Sequence, residues 1–126
     1  MEESQTAVNS SEQLVKAVVS GIQEKKGGNI TVLDLRNIEN MIAEYFIICE
    51  GESNVHVDAV SDSVEEIVRR DAGEKPFHIE GKENAQWILL DYMDVVVHVF
   101  QKPVRKFYSL EELWADARRT DVEELS

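Results

Sequence analysis

The chain has 126 residues, which suits one domain, and 43% of them are hydrophobic, enough for a core and too many for a disordered tail. Thirteen Lys and Arg face 25 Asp and Glu, a formal net charge of −12, so the surface repels phosphate backbones and argues against sequence-independent nucleic-acid binding. The single cysteine, Cys49, excludes an internal disulfide framework, and no apolar run approaches the ~20 residues needed to span a bilayer.

The first ten residues, MEESQTAVNS, lack the basic and apolar regions of a signal peptide and the arginine-rich pattern of a transit peptide. The expectation is a soluble cytoplasmic protein with no membrane contact. If such a chain works near nucleic acid, its charge points to a basic protein partner rather than to direct nucleic-acid specificity. The plainer reading is that acidity only keeps it soluble.

Residues 1–9 are polar and are expected as a disordered tail. Ser10 or Ser11 can cap a helix reaching Lys26, with Leu14, Val15, Val18, Val19 and Ile22 at helical spacing. Gly27-Gly28 ends it. NITVLDLR, 29–36, is short and β-branched and reads as a strand. YFIICE, 45–50, is nearly all apolar, as in a strand covered on both faces. Ser53 caps a helix over 54–71 with Val57, Val60, Val64, Ile67 and Val68 on one stripe. FHIEG is a short strand. Residues 87–91 and 94–100 are two more strands around a tight turn, and Pro103 ends the second. Ser109 and Glu112 form a capping box before a short helix with Leu110, Leu113, Trp114 and Ala117. Residues 119–126 read as an acidic, frayed tail, leaving 10–118 as a single domain. The order α β β α β β β α predicts an α/β fold, a mixed β-sheet of about five strands flanked by helices.

WILLDYMDVVVHVF, 87–100, raises the question of chemistry. A two-residue hairpin loop would set Asp91 opposite Asp94, and two close carboxylates could hold Mg²⁺ or share a proton. An enzyme of this kind would be a metal-dependent nucleotidyltransferase. It would need further ligands or a phosphate-binding loop, and the chain has neither GxxxxGK[ST] nor HExxH. Acids also populate turns because they bond their own backbone. His98 shares a strand face with Val96 and Phe100, where a hydrogen-bonded core histidine is commoner than a ligand. His56 and His78 lie at no metal-ligand spacing, and Cys49 has no basic neighbour to activate it. EGES, 50–53, could hold an anion at a helix start, but an ordinary turn and cap is the commoner case. No catalytic residue, metal or cofactor is implied.

The apolar side offers a different function. Trp87, Leu89 and Asp91 share one strand face, Ile88 and Leu90 the other. If the second face is core, the first becomes an aromatic patch with acidic neighbours, suited to a basic protein. If the first is core, Trp87 lies under the last helix beside Trp114. The pattern leaves both open.

WILLDYMDVVVHVF followed by RKFYSLEELWADA resembles the Iojap, or ribosomal silencing factor (RsfS), family. Trp87, Asp91, Asp94, Val97, His98, Val99, Arg105, Tyr108, Leu110, Leu113 and Trp114 match its hallmark, as do Asp34, Gly51, Ser53, Ala59, Asp62, Glu80 and Gly81 upstream. The resemblance spans residues 10–118. It implies a nucleotidyltransferase-like topology without the catalytic signature. It also implies a translation repressor that binds large-subunit ribosomal protein L-fourteen and sterically blocks joining of the small subunit when nutrients are limiting. A homodimer off the ribosome is a further implied state. The ribosome-binding residues would be Trp87, Leu89, Asp91, Tyr92 and Asp94. Met93 departs from the family's glycine in the turn, and a non-glycine residue at positive φ costs about 1 kcal/mol. His56 and Glu44 stand where relatives often carry glutamine and aspartate.

Overall fold

A computed structural model describes residues 10–123; the tail expectations for 1–9 and 124–126 lie outside the described residues. Helix α1 (Ser10–Glu24) leads into strand β1 (Gly28–Asp34) and strand β2 (Tyr45–Gly51). Helix α2 (Asn54–Ala72) follows, then β3 (His78–Glu80), β4 (Trp87–Asp91) and β5 (Val95–Gln101). Two short helices, α3 (Lys102–Tyr108) and α4 (Leu110–Leu113), precede β6 (Arg118–Asp121).

The six strands form one mixed sheet in the order β3-β4-β5-β2-β1-β6. The central pair, β2 and β5, is parallel, and every other pairing is antiparallel. The parallel pair is covered on both sides, which explains its almost unbroken apolar sequence. Alternation sorts the side chains. Tyr45, Ile47 and Cys49 of β2 and Val95, Val97 and Val99 of β5 face α1 and α2, where Leu14, Val18, Ile22, Val57, Val60, Val64 and Val68 complete the main core. On the other side Leu33, Leu35, Ile48, Phe100 and Leu110 form a smaller second cluster.

Local chemistry fixes the helix ends. Ser53 is extended and its Oγ accepts from the His56 N–H at 3.1 Å, and Gly73 closes α2 at φ 68°. At the end of α1 the left-handed residue is Lys26 (φ 60°) rather than a glycine. The Lys26 N–H donates to Gln23 O and the Gly27 N–H to Ile22 O, a Schellman pair. The two long helices approach closely because Gly21 has no side chain: a Cβ there would lie 2.8 Å from Val64 Cα. Ser63 Oγ donates to Gly21 O across the same contact at 2.8 Å.

At the C-terminus one expectation holds in part and two fail. Pro103 ends β5 but also opens α3, in the first turn where a missing N–H is harmless. The capping box does not form. Ser109 closes α3, its N–H donating to Arg105 O, and so takes the left-handed conformation (φ 50°, ψ 55°) that an N-cap side chain cannot use. Residues 119–121, expected in a frayed tail, pair with β1 as a sixth strand. The Val122 N–H donates to Ile30 O, and Thr31 Oγ donates to Asp121 Oδ1 at 2.8 Å.

One buried side chain ties this C-terminal unit to the sheet. The Arg105 guanidinium reaches Glu50 Oε1 at 3.1 Å, Glu111 Oε2 at 2.5 Å, Thr31 Oγ1 at 3.1 Å and the Asn29 carbonyl. It thereby joins β1, β2, α3 and α4. Burial pushes the Glu111 carboxyl up, but the Arg105 hydrogen bond, a backbone hydrogen bond and the charges of Arg105 and Arg119 together outweigh it and hold the group below the ordinary carboxylate range.

Candidate docking surface

The structure settles which side of β4 is core. Ile88 and Leu90 are fully buried against the helices, so Trp87, Leu89 and Asp91 lie on the second face and are only partly covered. There they join Phe46, Val96, His98 and Phe100. Both readings of Trp87 hold in part. The indole stacks on Phe100 (centroids 4.8 Å apart) and packs on Tyr108 (4.6 Å), yet keeps an open edge. Trp114 belongs to the same cluster, with its ring against Phe46 at 6.0 Å.

The loop before β4 holds Trp87 in place. Gly81 takes φ 92°, and a Cβ there would lie 1.9 Å from the Trp87 carbonyl oxygen. His98 holds the indole from below, its Nδ1 accepting from Trp87 Nε1 at 3.2 Å. Burial lowers the His98 pKa to about 4, so the ring is neutral at pH 7.

The hairpin tip differs from expectation in two ways. Tyr92 pairs with Val95, its N–H donating to Val95 O at 2.9 Å, so Asp91 lies opposite Val96 and not opposite Asp94. Asp91 Oδ1 accepts from the Met93 N–H at 2.7 Å, the turn-stabilising bond typical of aspartate. Met93 takes φ 75°, the region that the family's glycine adopts without strain. The Asp94 carbonyl accepts from the Glu44 and Tyr45 N–H groups at 2.7 and 3.1 Å, which anchors the tip to β2.

The second difference corrects the candidate site. Tyr92 is 2% exposed and lies in the main core under the helices, on the opposite side from Trp87. Pairing with Val95 turns its side chain inward, and burial raises its pKa. It is a core residue and no part of a surface. Leu89 and Asp91 remain partly accessible, and Asp94 is exposed.

The structure adds exposed residues to this face, of which the sequence reading had placed only Leu113 on an element. Helix α3 presents Phe107, 80% exposed, and Tyr108, 48% exposed, and Leu113 of α4 is 69% exposed. The rings run in series from Trp87 through Tyr108 to Phe107, the last pair 5.1 Å apart. The signal was RKFY, but without α3 it had no place in the fold.

The groups weighed for chemistry have other roles. Among the described residues no cluster of three or more His, Cys, Asp or Glu could hold a metal ion. Cys49 is fully buried and its thiol is pushed up to about 12 by burial. His56 joins two loops, its Nδ1 accepting from the Glu52 N–H and its Nε2 lying 2.8 Å from Lys25 O. The EGES turn therefore uses its Glu52 amide on the His56 ring, and its Ser53 hydroxyl on the His56 amide. His78 pairs with Glu80 at the exposed β3 edge. No described helix is long and apolar enough to cross a membrane.

The family model for the ribosomal silencing factor during starvation matches residues 8–126. Ribosomal silencing factor RsfS of Halalkalibacterium halodurans is 36% identical over 114 residues, covering 90% of this chain and 96% of that protein. RsfS of Bacillus subtilis is 36% identical over 87% of this chain and 92% of its own. The chloroplastic Iojap protein of Zea mays is 37% identical over 80% of this chain but 43% of its own length. A crystal structure of a Chromobacterium violaceum protein, 33% identical, superposes with a TM-score of 0.78 over 82% of this chain and 85% of that one. The ordered turn, the tryptophan clamped by a buried histidine and the matched family model agree, and the chain belongs to the ribosomal silencing factor (RsfS) family.

Proposed function

We propose that this protein docks on the large ribosomal subunit through the open half of its second sheet face and blocks joining of the small subunit by obstruction. The observation that carries the reading is the patch of Trp87, Leu89 and Asp91, left partly open beside the exposed Asp94 while the central strands β2 and β5 are packed. An aromatic anchor next to carboxylates suits a basic ribosomal protein, and ribosomal protein L-fourteen is the proposed partner. Obstruction needs no bond-making step, so the protein is read as a cytoplasmic regulator and not an enzyme. Pairing of the same apolar surface with its own copy would account for a homodimer off the ribosome.

The experiment is gradient sedimentation with purified ribosomal subunits. Trp87→Ala is a poor probe, because the indole also supports Phe100, Tyr108 and His98. Leu89→Ser with Asp94→Arg alters the surface alone. The wild-type protein should co-sediment with large subunits and be absent from whole ribosomes. The double variant should bind at least ten-fold more weakly, about 1.4 kcal/mol, with an unchanged melting temperature. Undiminished binding by that variant sinks the patch assignment.

A further inference from the structure

We infer that helix α3 forms a second contact zone beside the aromatic patch, a basic and aromatic surface that fits the phosphates and bases of ribosomal RNA. The inference rests on the large-subunit reading above and extends it to a different class of partner.

The charge distribution points there. Five of the chain's 13 Lys and Arg lie within residues 102–119: Lys102, Arg105, Lys106, Arg118 and Arg119. Three acids share that stretch, Glu111, Glu112 and Asp116, so it is net positive within a chain of net charge −12. In the fold the cleft beside α3 gathers four cations, Lys102, Arg105, Lys106 and Arg119, and four carboxylates, Glu50, Glu111, Glu112 and Asp121. Glu111 and Glu50 are held by Arg105, and Asp121 is held by Thr31 and Arg119. Lys102 and Lys106 have no ion-pair or hydrogen-bond partner among the described residues, and both are exposed. They line one side of an open cleft of about 790 Å³ between α3, α4, β1 and β6. Three of the four carboxylates lining the cleft, Glu50, Glu111 and Asp121, are thus paired internally, Glu112 is not, and the two lysines are left for an outside anion.

The aromatics supply the second half of the argument. Phe107 and Tyr108 follow Lys106 directly, and Phe107 is among the most exposed apolar side chains described. Interleaved cations and exposed rings suit single-stranded or looped RNA, because cations meet phosphates while rings stack on bases of any sequence. The ring series Trp87–Tyr108–Phe107 makes this zone continuous with the acidic patch. The combined surface carries carboxylates at one end and free lysines at the other. A ribonucleoprotein presents the complementary pair, basic protein and phosphate, side by side.

The test is the salt dependence of binding to isolated large subunits. Lys102→Gln with Lys106→Gln is compared with a charge-matched control, Lys25→Gln with Lys26→Gln, two exposed lysines that follow α1. Each phosphate contact contributes about 0.7 to 0.9 to the slope of log binding constant against log salt. The α3 variant should lose about 1.4 to 1.8 from that slope, and the control should keep the wild-type value. Equal slopes for the two variants overturn the inference while leaving the docking reading intact. A photoreactive phenylalanine analogue at position 107 should cross-link to ribosomal RNA, and attachment to protein alone also overturns it. Failure of the wild-type protein to bind large subunits at all overturns both.

Discussion

Met93 occupies a backbone conformation that its side chain disfavours, and the hairpin tolerates it because the surrounding bonds are strong. Asp91 Oδ1 holds the Met93 N–H, and β2 holds the Asp94 carbonyl. Met93→Gly should relieve the strain and stabilise the fold by about 0.5–1 kcal/mol, offset in part by the greater freedom of glycine in the unfolded chain. Urea denaturation measures the sum, and a loss of stability contradicts the strain argument. His98 allows a pH prediction. Its folded pKa of about 4 lies below the ordinary 6.5, so between those values the unfolded chain takes up a proton that the folded chain refuses. Stability therefore falls as pH drops from 6.5 towards 4, by up to about 3 kcal/mol from this group. His98→Asn keeps an acceptor for the Trp87 indole and cannot titrate. Its stability should vary less with pH across that window, and an equally steep profile would clear His98 of the effect.

At the scale of elements, α3, α4 and β6 depend on one another through Arg105. Their own apolar burial is small: Leu110 is the one apolar side chain they bury fully, and all four β6 residues are exposed. Arg105 carries the connection, with its side chain and those of Glu50 and Glu111 each at most 14% exposed. Removing one member of such a group strands the others, so Arg105→Met should cost roughly 3–5 kcal/mol. Replacing Glu50 and Glu111 by glutamine in the same chain should recover much of that loss, because no buried charge is then left unpaired. Denaturation midpoints of the single and triple variants decide this, and equal losses in both would refute the desolvation account. The sequence hid this unit for physical reasons. The bonds that define it run from 105 to 29, 31 and 50, and from 31 to 121, and no local pattern records them. Ser109 and Glu112 matched a capping box locally, but the end of α3 took Ser109 first.

Across the whole molecule, the sheet divides its labour. One side is sealed by α1 and α2, and the other is half covered by the C-terminal unit, which leaves the β4 half partly open. Burial accounts for the correction at Tyr92. Its composition and place beside two aspartates suggested an interface anchor, yet its pairing with Val95 turned it inward. Leu89, Asp91 and Asp94 stayed outside, and Phe107 and Tyr108 joined them from a helix that the sequence pattern did not reveal.

Sequence alone determined what rests on local periodicity and composition. The 3.6-residue stripes defined α1 and α2, the β-branched runs defined β1, β2 and β5, and the alternation of Val95 to Phe100 set which residues share a face. The same residues sufficed to suggest the family. Tertiary structure alone decided which face of β4 is core, that Tyr92 belongs inside, and that residues 118–121 close the sheet. Those outcomes depend on contacts between segments far apart in the chain, where burial and ion pairing outweigh local preference.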